Sequence, residues 1–233
     1  MNTRALDSLL DRSRDFSVAS VLASYPDEEV AATLTALAPA LVDHAGAGPL
    51  VRALTRHGGA EDLRSTYIDR FDRGERRVSL HETEHGRMRG MAKGNDLADI
   101  SGFYRAFGLV IDDEAAHEML DHLAVELEFY AVLLAKQDHL LAAGDAEGTA
   151  VVEDARRKFL EAHLGPLALA AARHACPPGT TPDEYGAALA WCGELTAREC
   201  EVLGATPTPL DFFATGEDAS EMKCGAVHLP VLP

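Results

Sequence analysis

The chain has no G-x-x-x-x-G-K-[ST] and no G-x-G-x-x-G after a strand, so it lacks the usual backbone cradles for nucleotide phosphates. No G-x-S-x-G elbow presents a nucleophilic serine. No stretch reaches the roughly 18 uninterrupted apolar residues of a membrane span. Met1-Asn2-Thr3-Arg4 leads straight into Ala5-Leu6-Asp7-Ser8-Leu9-Leu10 without the apolar core of a secretory signal, which predicts a cytoplasmic protein. Its four cysteines, Cys176, Cys192, Cys200 and Cys224, form no C-x-x-C and read as reduced thiols. Cys224 and His228, with Cys192 or Cys200, lack the tight paired spacing of structural zinc sites. Positive charge is scarce as well: 21 basic residues face 38 acidic ones in 233, for a formal charge of −17. Such a surface repels nucleic acid and anionic membrane, and it attracts cationic ligands or peptides. Solubility alone is the plainer reading of that charge.

What is present is helix. Hydrophobic residues make up 47% and aromatics only 6%, with Ala and Leu abundant and few β-branched runs, a composition that favours helices. Periodicity predicts helices over about 3–25, 30–43 (kinked at Pro39), 60–72, 96–107, 113–143, 147–176 (bent or split at Pro166) and 182–203. Gly46 and Gly48 mark a turn before a further short run that Gly58-Gly59 interrupts. Residues 75–94, with Gly86, Gly90 and Gly94, read as a long loop of the kind that often carries function. Without repeats or a linker, residues 1–233 are predicted to form one all-α domain, with 205–233 as an irregular tail.

The central stretch is Asp121-His122-Leu123-Ala124-Val125-Glu126-Leu127-Glu128-Phe129. Met119, Leu120, Leu123, Ala124, Leu127, Tyr130, Ala131 and Leu134 form one wide apolar stripe, so the helix is predicted to belong to a core. Val125, Phe129, Val132 and Leu133 lie on the other side around His122 and Glu126, and polar groups so bordered need a partner. Asp121 and Glu128, seven apart, also fit a solvated edge.

Two chemistries compete for these residues. Glu82-Thr83-Glu84-His85 has E-x-x-H spacing and, with Glu118, His122 and Glu126, resembles half of a carboxylate-bridged di-metal site; such sites use two such pairs on helices. The other is a peptide groove lined by Tyr67 and Phe71 or by Phe103 and Phe107, pairs spaced four apart. Each of these aromatics also suits an ordinary core.

An ordered set of motifs resembles a known family. It runs Tyr67-Ile68-Asp69-Arg70-Phe71, Val78-Ser79-Leu80-His81-Glu82, Phe103-Tyr104-Arg105-Ala106-Phe107-Gly108-Leu109, the central stretch, then Phe159-Leu160-Glu161-Ala162-His163-Leu164. Together they resemble the TorD/DmsD/NarJ family of molybdoenzyme maturation chaperones, in the branch serving type II dimethyl sulfoxide reductase-family enzymes. Gly165-Pro166-Leu167 stands where that family usually carries a tryptophan.

The resemblance implies an all-helical, non-enzymatic cytoplasmic chaperone, monomer or homodimer, with no cofactor of its own. It would bind the catalytic subunit of a molybdenum oxidoreductase through its N-terminal twin-arginine leader. Release would follow loading of the client's bis-molybdopterin guanine dinucleotide. Such a leader is cationic and then apolar. The predicted peptide site therefore has Asp121, His122 and Glu126 at its polar heart, flanked by Ser79, His81 and Glu82, with Tyr67, Phe71 and Phe129 as its apolar surface.

Overall fold

Side-chain caps open several of the helices. In the computed structural model, which describes residues 8–56, 58–73, 78–85, 93–109, 119–177 and 179–210, Ser8 accepts from the Asp11 amide at 3.1 Å and opens α1 (Leu9–Ala23). Asp27 accepts from Val30 at 2.8 Å and opens α2 (Glu28–Leu41), which continues through Pro39. The short α3 (Gly48–Leu54) and α4 (Gly59–Tyr67) follow. Then come α5 (Lys93–Ala106), α6 (Leu123–Ala142), α7 (Ala146–Ala162), α8 (Leu164–Ala175) and α9 (Glu184–Leu203). Asp145 and Asp183 cap α7 and α9 through the Gly148 and Gly186 amides. Gly204, at φ +62°, ends α9 in the left-handed conformation that glycine adopts without strain. The described residues form an all-α bundle, as composition and periodicity predict.

At the centre is α6, with Leu123, Leu127, Tyr130, Leu133 and Leu134 wholly buried. Apolar residues on both of its sides find partners, so it is a core helix rather than a one-faced surface helix. Along one side lies α1, running the opposite way: Ser13 Oγ donates to the Ala131 carbonyl at 2.8 Å, and Phe16 packs on Tyr130. A buried polar network pins the far side. Arg156 of α7 pairs with Glu199 of α9 and donates to Gln137 and to the Tyr130 hydroxyl, while Arg12 of α1 reaches Glu199 at 2.6 Å. Burial in this network pushes the Tyr130 phenol well up.

Three boundaries differ from the sequence reading. The central helix starts at Leu123 rather than 113, because His122 is extended and caps it through Nδ1, 3.2 Å from the Ala124 amide. The predicted start at 113–118 lies outside the described residues. The helix predicted over 60–72 is α-helical only to Tyr67, and Ile68–Asp72 is a π-helical turn. The break within 147–176 falls at His163 (φ −124°, ψ −85°), not at Pro166, which occupies the first turn of α8 where its missing N–H costs nothing. Neighbouring Gly165 has no room for a Cβ, which would collide with the Leu160 carbonyl and Pro207. Beyond α9, residues 205–210 are non-helical and lie along α7, Thr208 donating to the Glu161 carbonyl at 3.1 Å.

Candidate functional site: an acidic and apolar cleft beside the central helix

Residues 78–85 are clasped onto the start of α6 by backbone and side chain together. His81 bridges antiparallel to His122; the Leu123 amide donates to the Leu80 carbonyl at 2.8 Å, and the Glu82 amide to that of Asp121 at 2.9 Å. The Asp121 carboxylate, almost wholly buried, accepts from Thr83 Oγ1 at 2.5 Å and from its amide at 3.3 Å, with His81 Nδ1 at 3.3 Å. Burial alone would raise this carboxyl, but the bonds from His81 and Thr83 outweigh it and hold it down at about 2. Asp121 is thus an ionised carboxylate serving the clasp.

His122 is buried and neutral, its pKa pushed down to about 3 chiefly by burial. Nδ1 accepts from Ala124, so the proton sits on Nε2 and points at the Tyr67 hydroxyl 3.1 Å away. That hydroxyl donates to the Ala23 carbonyl at 3.3 Å. Tyr67 also stacks edge-on with Tyr25, Phe71 and Tyr185.

In front of the clasp lies a cleft of about 970 Å³. Along α6 its wall is Val125, Phe129 and Val132, a helical stripe interrupted by the exposed Glu128. The opposite wall comes from the end of α1 and the start of α2, with Val21, Tyr25 and Val30. Ile68 and Phe71 of the π-helical turn and Leu80 of the clasp close one end. Its charged lining is of one sign: Asp27, Glu29, Asp72 and Glu128 line it, with no lysine or arginine among the described residues.

Of the nine residues predicted for the site, Tyr67, Phe71, His81, His122 and Phe129 line this cleft. Ser79, Glu82, Asp121 and Glu126 sit behind it. Ser79 accepts from the His81 amide through Oγ and its carbonyl faces His85 Nε2. Glu82 lies against His163 Nδ1 at 3.1 Å. Glu126 is completely buried beside Glu82, its pKa raised first by burial and then by the Glu82 charge. Sequence reasoning missed Glu29 and the π-helical turn, and left Glu128 as a solvated edge. The apolar i, i+4, i+7 spacing of Val125, Phe129 and Val132 around Glu128 was the available signal.

The E-x-x-H pair does not form a metal face. Glu82–Glu84 is a single 3-10 turn that sends Glu82 to His163 while His85 turns to Ser79. Among the described residues no group of three or more His, Cys, Asp or Glu side chains could hold a metal ion; Glu118 and Cys224 lie outside them. Burial pushes the Cys192 thiol up to about 12 and Cys200 to about 11, as for inert core thiols.

The profile of the family described as "Nitrate reductase delta subunit" matches residues 25–170, a span that holds α2, the clasp, α6 and the His163 break. The chain belongs to the nitrate reductase delta subunit family. This is a family of molybdoenzyme maturation chaperones, so the recognised motifs and the family match agree. Chaperones of this kind hold a client rather than catalyse. No curated protein matches the chain. No helix among the described residues is long and apolar enough to cross a membrane.

Proposed function

We propose that the cleft binds the N-terminal leader of the catalytic subunit of a molybdenum oxidoreductase, in the cytoplasm, until the client's cofactor is in place and the subunit is exported or assembled. The motifs 103–109 and 121–129 favour clients of the type II dimethyl sulfoxide reductase family. One observation carries this reading: an apolar, aromatic-walled cleft whose lining, among the described residues, includes four carboxylates and no lysine or arginine. A peptide that is cationic and then apolar complements both properties, the carboxylates setting orientation and association rate and the apolar walls supplying affinity.

The reading also divides the acids by role. Asp27 has an oxygen committed to capping α2. Asp121 and Glu126 are buried in the clasp and serve peptide binding only by holding the wall. Glu29, Asp72 and Glu128 are exposed in the cleft lining, so they are the carboxylates placed to meet arginine side chains.

Calorimetric titration with a twin-arginine leader peptide at low and high salt tests the proposal. Micromolar or tighter binding that weakens with salt supports it, because exposed charges are screened beyond about 10 Å at 0.1 M ionic strength. Absent or salt-indifferent binding contradicts it.

A further inference from the structure

The clasp behind the cleft holds a number of protons that its geometry dictates. His163, at the break between α7 and α8, has Nδ1 3.1 and 3.3 Å from the two Glu82 oxygens and Nε2 3.2 Å from Asp99 Oδ2 on α5. A neutral imidazole has one N–H, and carboxylates at both nitrogens require two, so this ring is an imidazolium. On the other side of Glu82 is Glu126, with both oxygens buried and the Glu82 carboxyl as the polar group they meet. Two ionised carboxylates side by side in a dry site repel strongly, so one of this pair carries a proton.

The surroundings favour keeping both protons. For Glu126, burial comes first and the charges of Glu82 and Asp121 add to it, all raising its pKa. For His163, burial opposes the charge, but Glu82 and Asp99 outweigh it and the net shift is upward. Tyr104 of α5 stands near the same carboxylates with its phenol pushed up, mainly by burial. The titratable set also holds His81, Glu84 and His85 of the loop and His174 of α8 beside His85; His85 is held down, chiefly by burial. No arginine or lysine enters the clasp among the described contacts, so the two protons are its neutralising charge.

We propose that Glu82, Glu126 and His163 form a pH-sensitive latch that holds residues 78–85 on the start of α6, and with them the Leu80 and His81 wall of the cleft. Losing the Glu126 proton leaves two adjacent anions; losing the His163 proton leaves Glu82 without its cation. Both folded-state pKa values lie above their unfolded ones. The stabilisation is therefore fully present at lower pH and is lost as pH rises through the folded values. The latch is a property of the free protein. Only its consequence, weaker client binding at alkaline pH, rests on the proposed function.

Amide hydrogen exchange on the free full-length chain, from about pH 6 to about pH 9, reads the latch around the ordinary histidine value of about 6.5. The reporters are the Glu82 and Leu123 amides, which donate across the bridge. After division by the intrinsic rate, their exchange should rise by up to about tenfold per pH unit, the slope of one linked proton. Glu126→Gln, neutral at every pH and able to donate to Glu82, should shrink that rise. Glu126→Gln with His163→Gln should abolish it. Glu126→Gln carries the test alone if the double variant does not fold. A flat parent profile, or variants with the parent's slope, would overturn the latch. A parent that shows the rise but binds no leader peptide at any pH keeps the latch and overturns the reading of the cleft instead.

Discussion

The Arg156 network and the cleft are both polar regions touching α6, and they resolve their charge in opposite ways. At Arg156 every element contributes a partner: two guanidiniums from α1 and α7 meet the Glu199 carboxylate from α9, and Tyr130 of α6 bonds to both signs. The cleft gathers carboxylates on apolar walls and supplies no lysine or arginine. A buried network in which both signs are paired is a device of the fold. Acidic groups around half-buried apolar walls complement a peptide that is cationic and then apolar, which is the physical case for the proposed client site.

That contrast breaks most directly at Arg156. Arg156→Ala would strand Glu199 in the core with Arg12 alone, costing about 3–5 kcal/mol and lowering the melting temperature by many degrees; leader affinity of the remaining folded fraction should be unchanged. Asp121→Ala comes next, with a loss of roughly 2–3 kcal/mol from the bonds to Thr83 and His81, measured by denaturant titration. Its effect on affinity should follow from the loosened wall, so it should be partly rescued by Asp121→Asn, which keeps an acceptor for Thr83. Smallest in stability are Glu29→Gln and Glu128→Gln. Each should leave the melting temperature within about a degree while weakening leader binding by roughly 2–5-fold and flattening its salt dependence.

Acid pH tests the same division. His122 is depressed from its ordinary value to about 3, so the neutral ring's stabilisation is present above about pH 6.5 and is lost as pH falls toward 3. Asp121, held at about 2, contributes above about pH 4 and fails only below that. Acid unfolding followed by circular dichroism should therefore begin before the Asp121 carboxylate protonates, and His122→Gln should remove that early part.

Most of the bundle was legible because helix formation is local. Apolar spacing, Asp27 and Asp183 as caps, and Gly144 and Gly204 as stops are written within a few residues of each element. The failures were non-local. The central helix begins at Leu123 because a histidine, an uncommon cap, is held extended by pairing with His81 some forty positions earlier. Pro166 suggested the break, yet a proline in a first helical turn is harmless, and the chain turns at His163, where Glu82 and Asp99 meet the ring.

The site divides along the same line. Tyr67, Phe71 and Phe129 were visible as aromatics at helical spacing, and they line the cleft. Asp121 stood between a solvated edge and the polar heart of the site, and Glu126 drew attention as a polar group bordered by apolar ones. Their partners Thr83 and Glu82 come from a distant loop, and only that pairing turns them from presumed ligand contacts into supports. Glu128 showed the reverse: a residue that spacing leaves in solvent becomes part of a cleft once α1 and α2 face it.

The central claim is that the client's leader occupies the space between α6 and the α1–α2 corner. Methyl nuclear magnetic resonance, following a leader-peptide titration through Val21, Val30, Ile68, Val125 and Val132, tests this most directly. The account predicts saturable shifts at these five, with Val151 and Val202, exposed elsewhere on the surface, unmoved. Shifts confined to Val151 or Val202, with the cleft methyls silent, would contradict it.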